Sequence, residues 1–128
     1  MKTSELTGAA LDWAVACVEK LPMDLLVWEY GLPVVKRTLL GHTDTMRCEF
    51  STNWAQGGPI IEREGIELLC NTSALQAAAY KDANPDWFAC LKFKRADHWH
   101  GPTPLIAAMR CYVASKLGDE VEVPDDLH

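Results

Sequence analysis

Two stretches carry the residue types that could do chemistry. In FKRADHWHGPTP, Phe93 to Pro104, His98 and His100 stand two apart, so in an extended segment both rings can face one ligand, with Asp97 beside them. His42 and Asp44 are the residues that could complete a metal set, but no Cys or Glu joins the histidines at a zinc-like spacing, so no metal is expected. Around the same histidines, Trp87, Lys92, Phe93, Lys94, Arg95 and Trp99 interleave aromatic and basic groups, a mixture that stacks a base and neutralises a phosphate. The competing reading puts Lys92 and Lys94 on the solvent side of a strand that buries Leu91 and Phe93.

The second stretch is FSTNWAQGGPIIEREG, Phe50 to Gly65. Ser51, Thr52 and Asn53 can cap a helix beginning at Trp54, yet Pro59 lacks an N–H and its ring would meet the carbonyl of Ala55. The pattern therefore predicts that the helix restarts at Pro59, with Gly57 and Gly58 as the joint. A fresh helix start behind two glycines exposes N–H groups suited to a phosphate or carboxylate. It has neither the lysine of a P-loop nor the third glycine of a dinucleotide fingerprint, so a structural joint is the stronger reading.

Gly58-Pro59 and Gly101-Pro102 each introduce a helix. If both helix starts lie at one sheet edge, Trp54, Gln56, Gly57, Gly58, His98, Trp99 and His100 form a rim, and these are the candidate ligand-binding residues. No nucleophile elbow or cysteine-protease signature is present, so no catalytic residue and no cofactor are assigned.

The elements that must position these residues follow from periodicity. Leu6, Ala10, Trp13, Cys17 and Leu21 recur at steps of three and four, with Glu5, Asp12 and Glu19 on another face, which predicts an amphipathic helix stopped at Pro22. DLLVWEY and VVKRTLL read as strands joined through Gly31, Leu32 and Pro33. Met46, Cys48 and Phe50 alternate with Arg47 and Glu49 as a half-buried strand. Ile66 to Cys70 and Trp87 to Lys94 alternate again and could pair antiparallel. Between them, NTSALQAAAYKDANPD fits a short helix or an excursion. The last helix is the clearest, with Thr103 as cap, Pro104 at its first position, LIAAMRCYVASKL as its body and Gly118 at its end. It is apolar almost all round, so it should be the most buried. EVEV in the tail could add an edge strand before Pro124.

The expected fold is α+β, a single domain over residues 1–128: a mostly antiparallel sheet with helices packed on it and a long buried C-terminal helix. With 48% hydrophobic and 23% charged residues the chain can bury a real core. Its apolar runs are far shorter than the roughly 20 residues of a membrane span, and no signal peptide is visible, so it should stay in the cytoplasm. The five cysteines form no C-x-x-C pair and sit among apolar neighbours, as reduced core thiols do. A net charge of −6 argues against nucleic acid as partner and favours a protein or small molecule.

ELTGAALDWAVACVEK at the start, STNWAQGGPIIEREGI in the middle and GPTPLIAAMRCYVASKLGDEVEVP at the end together resemble the NinX-type proteins of tailed bacteriophages, a family of unknown function. A more distant similarity links Ser51-Thr52-Asn53 to the S-T-D helix start of a phage α/β/α sandwich domain. Asn53 stands where aspartate is expected, which keeps the cap and removes a charge. The resemblance implies a phage accessory protein made in the bacterial cytoplasm, of a kind that alters host behaviour or blocks host defence. The function expected is non-enzymatic binding of a small signalling nucleotide or a host protein. The alternatives are a small metal-dependent or acid–base enzyme using His98 and His100, and an oligomeric scaffold. A homo-oligomer, most simply a dimer, is expected.

Overall fold

The computed structural model describes residues 1–19, 26–29, 31–71, 86–92, 94 and 97–123. Among these, a single turn η1 (Thr3–Glu5) leads into α1 (Gly8–Val18). Strands β1 (Leu26–Glu29), β2 (Leu32–Leu39) and β3 (His42–Arg47) follow, then α2 (Trp54–Glu64), β4 (Ile66–Asn71), β5 (Asp86–Leu91), β6 (Trp99–Gly101) and α3 (Pro104–Leu117). The α+β class holds, with the antiparallel pairing divided between two three-stranded sheets, ordered β1-β2-β3 and β4-β5-β6. The strands predicted at Ile66 and Trp87 do pair, in a register that sets Ile66 opposite Leu91 and Leu68 opposite Ala89.

Helix α3 is the centre of the molecule. It touches η1, α1, α2 and all three strands of the second sheet. Leu105 to Met109 and Cys111 to Val113 are all buried, so the helix has almost no solvent face before its last turn, where Ser115, Lys116 and Leu117 are exposed. Its ends obey local rules: Thr103 Oγ1 accepts the Ile106 N–H at 3.2 Å, Pro104 occupies the first turn, and Gly118 N–H donates to Ala114 O at 2.9 Å. The first sheet joins the body through the contact of β2 with α1 and through Trp13 and Trp28, whose rings meet edge to face at 6.1 Å. One hydrophobic cluster runs from Leu6 through Leu26, Phe50, Ile60 and Ala89 to Val121.

Four local expectations are corrected. Helix α2 runs unbroken from Trp54 through Gly57, Gly58 and Pro59 to Glu64, capped by Asn53, whose side chain accepts the Ala55 N–H at 2.9 Å. Pro59 and Ala55 are both exposed, so the carbonyl that Pro59 deprives of a donor faces water. No new helix start therefore exists behind the glycines, and the anion site imagined there loses its basis. In helix α1, which begins at Gly8, Asp12, expected on the polar face, is 7% exposed because α1 is covered on that side by the turn at Ser51.

Strand β3 starts at His42 and is exposed at every position, with Met46 51% exposed. Burial begins only at Cys48 and Phe50, where the chain has left the strand and enters the core. The EVEV segment contributes a single antiparallel bridge, Lys2 to Glu120, and no strand. The predicted stop at Pro22, the segment between β4 and β5, Phe93, Arg95 and Pro124 lie outside the described residues. All five cysteines are free thiols.

Candidate functional site

Strand β6 lies flat on the start of α3 because Gly101 has no side chain: a Cβ there would stand 2.6 Å from the Ala107 nitrogen. Arg110 fixes the same junction, donating from Nε to Leu6 O at 2.7 Å and from a terminal nitrogen to His100 O at 2.8 Å. The connection before β6 is folded by two turns, Lys94 N–H to Leu91 O at 2.9 Å and Asp97 N–H to Lys94 O at 3.1 Å. Residues of this connection and of α3 together line a cleft of about 390 Å³. Trp99, half-buried, with Leu91, Cys111 and Ala114, gives the cleft its apolar lining. Lys94, Asp97, His98, Ser115 and Asp119 supply its polar groups.

The cleft includes one thiol, that of Cys111, and one hydroxyl, that of Ser115. Burial, with Cys90 nearby, pushes the Cys111 thiol up to about 12, so it stays protonated at neutral pH. The Ser115 hydroxyl donates to Tyr112 O at 2.6 Å. Among the described residues no group of three or more His, Cys, Asp or Glu is placed to hold a metal ion.

The predicted rim resolves into separate surfaces. His98 and Trp99 line the cleft, whereas His100 is not among its lining residues and sets its ring against Phe88 at 4.4 Å. The His98 ring also approaches Phe88, at 6.1 Å. Trp54, 53% exposed, belongs to a second recess of about 230 Å³ with Ser51, Thr52, Thr103, Pro104, Leu105 and Ile106. The starts of α2 and α3 thus do meet, but this recess and the cleft share no described lining residue.

Gln56 and Gly57 serve the backbone. The Gln56 amide accepts the Glu49 N–H at 2.7 Å and donates to Arg47 O at 2.9 Å. A Cβ on Gly57 would stand 2.6 Å from both Phe50 O and Leu105 Cδ2. A Cβ on Gly58 would meet only the Trp54 side chain, at 4.0 Å.

Sequence reasoning missed one constellation. At the C-terminal ends of α1 and α2, Arg63 donates to both Glu19 oxygens, at 2.6 and 3.3 Å, and to the Tyr112 hydroxyl at 3.0 Å. That hydroxyl donates to Glu19 Oε1 at 2.6 Å, and Glu64 bridges Arg63 to Lys116. Burial and the Glu19 hydrogen bond raise the Tyr112 pKa; the Glu19 bond and charge raise that of Arg63. Burial opposes ionisation of Glu19, but Arg63 and Tyr112 overcome it and lower its pKa. Only the ERE run hinted at Arg63, and nothing local tied it to Tyr112.

The fold and cleft define a class: a small α+β protein organised round one buried helix, with a ligand-sized, partly aromatic recess beside that helix. The family model described as bacteriophage P22 NinX matches residues 2–116, and the chain belongs to that phage family. No curated protein matches it. No helix among the described residues is long and apolar enough to cross a membrane.

Proposed function

We propose that this NinX-family protein is a phage accessory protein that acts in the bacterial host by binding, and that its ligand is a small nucleotide held in the cleft beside α3. The observation that carries the reading is the convergence of Trp99, His98 and Lys94 with Asp97 and Asp119 round one opening of about 390 Å³. That size lies in the range of roughly 300–1,000 Å³ typical of small-molecule sites. An indole and an imidazole offer faces or edges to a base, and a lysine suits a phosphoryl group. Among the described lining residues one lysine stands with two aspartates, a balance that suits a ligand with a single phosphoryl group better than a polyphosphate chain. Sequestering such a nucleotide from a host signalling or defence system is the role we assign.

The test is a thermal-shift and calorimetric titration with nucleoside monophosphates. A ligand at about 100 times its Kd stabilises the fold by roughly 2.7 kcal/mol, a rise of several degrees in Tm. Lys94→Ala and His98→Ala, both at exposed positions, should weaken binding tenfold or more while leaving the unliganded Tm unchanged. Trp54→Ala should bind as the unaltered protein does. Absence of any shift, or loss of binding in Trp54→Ala alone, removes the cleft reading. It would turn the search to the exposed tryptophan and a host protein.

A further inference from the structure

Helices α2 and α3, of 11 and 14 residues, begin at one recess of about 230 Å³, and each brings the positive end of its backbone dipole there. Their caps account for most of the first-turn donors. Asn53 takes the Ala55 N–H on its side chain and the Gln56 and Gly57 N–H groups on its carbonyl; Thr103 does the same for Ile106 and Ala107. Pro104 has no N–H, so one donor in each helix start, that of Trp54 and that of Leu105, is without a partner among the described residues. Both residues line the recess.

Ser51 is an independent sign of a ligand. It is 1% exposed, it lines the same recess, and its hydroxyl is the only buried side-chain polar atom among the described residues with no hydrogen bond. Asp12 accepts the Ser51 N–H at 2.8 Å but makes no well-formed bond to the hydroxyl, and it is not among the described lining residues. Buried polar groups are paired almost without exception, so an unpaired one beside an opening calls for a partner that enters through it. The described lining holds no charged side chain, in a chain of net charge −6, so no carboxylate of that lining repels an anion. We infer that this recess binds a single oxyanion, the phosphoryl or carboxylate group of a small ligand, at a site separate from the cleft beside α3. The Trp54 and Leu105 N–H groups and the Ser51 and Thr52 hydroxyls are its donors, joined by Thr103, whose Oγ1 accepts from Ile106 and still has its own proton to give. The exposed indole of Trp54 covers the organic remainder of the ligand. A volume below the roughly 300–1,000 Å³ of small-molecule sites admits one such group and excludes a whole nucleotide.

The experiment is an amide-resolved NMR titration of the full chain with sodium phosphate and with sodium acetate, each against sodium chloride at equal ionic strength. The expected result is a saturable shift of the Trp54 and Leu105 amide signals with phosphate, acetate or both, and none with chloride; the anion that binds more tightly identifies the source of the oxyanion. Ser51→Ala should weaken that binding roughly tenfold, as loss of a hydrogen bond to a charged group does, while leaving Tm unchanged. Thr52→Val, at an exposed position, should weaken it as well and decides the matter if Ser51→Ala does not fold. Lys94→Ala, which alters the cleft, should bind both anions as the unaltered protein does, since the two openings share no described lining residue. No saturable shift with either anion, or an equal shift with chloride, overturns the inference, as does a shift lost in Lys94→Ala. A Ser51→Ala protein with lowered Tm and unchanged anion affinity also overturns it, because the hydroxyl would then serve Asp12 alone. Each of these failures leaves the nucleotide reading of the cleft standing.

Discussion

Asp12 Oδ1 accepts the Ser51 N–H at 2.8 Å from a side chain that water barely reaches. Burial raises its pKa above the ordinary 3.8; the Ser51 backbone N–H and hydroxyl partly offset this, and the Glu49 charge adds to it. The hydroxyl lies near the carboxylate without a well-formed hydrogen bond of its own. A raised folded-state pKa means that the native protein holds the Asp12 proton more tightly than the unfolded chain. The stabilisation linked to that proton is complete below the unfolded value and is lost as pH rises through the folded one. Asp12→Asn keeps an acceptor and removes the ionisation, so urea unfolding should show equal or greater stability at pH 7 and a flatter dependence on pH. Asp12→Ala leaves a buried N–H unpaired and should cost about 1–3 kcal/mol. Equal losses in the two variants would refute the burial argument.

Helix α2 tests its two glycines separately. Gly57→Ala drives a methyl group to 2.6 Å from Phe50 O and Leu105 Cδ2, so the helix must move off α3. The expected loss is about 1–3 kcal/mol by thermal or urea unfolding. Gly58→Ala meets only Trp54 at 4.0 Å within an ordinary helical segment, and should stabilise by about 0.5–1 kcal/mol. The same chemical change at neighbouring positions thus has opposite signs, and equal effects would contradict the close approach of α2 to α3. Gly65, at φ 65° after Glu64, ends α2 in the left-handed conformation, as a helix-terminating glycine does.

At the scale of the whole molecule, α3 gathers η1, α1, α2 and the second sheet, and the Glu19–Arg63–Tyr112 contacts join α1 and α2 to it. The pKa of Glu19 is lowered, so its contribution is present above the ordinary glutamate value and lost as pH falls through the folded one, opposite in sign to Asp12. Arg63 is half exposed, so solvent screening limits the contribution, and Glu19→Gln should cost about 1 kcal/mol at pH 7. The loss should shrink as pH falls below the ordinary glutamate range; a loss independent of pH would exclude the charge as its cause. Strand β3, exposed throughout, should exchange its amide hydrogens at far lower opening free energy than the buried centre of α3, as hydrogen-exchange mass spectrometry can measure.

Local signals alone determined α3, where Thr103, Pro104 and Gly118 act within one turn of the ends they set. The Asn53 cap and the antiparallel partnership of β4 and β5 were legible for the same reason, since a cap or a period of two needs only near neighbours. So was membership of the phage family, carried by long runs of residues. Tertiary structure decided the rest. Asp12 is buried because Ser51 lies over it, α2 continues through Gly57 at a point where Leu105 and Phe50 leave no room for a side chain, and Met46 is exposed because no described element covers β3. The cleft joins Lys94 and His98 to Cys111 and Asp119, while Trp54 falls elsewhere. Which surfaces meet depends on packing between residues remote in the chain, and periodicity records the face a residue takes but not the partner it finds.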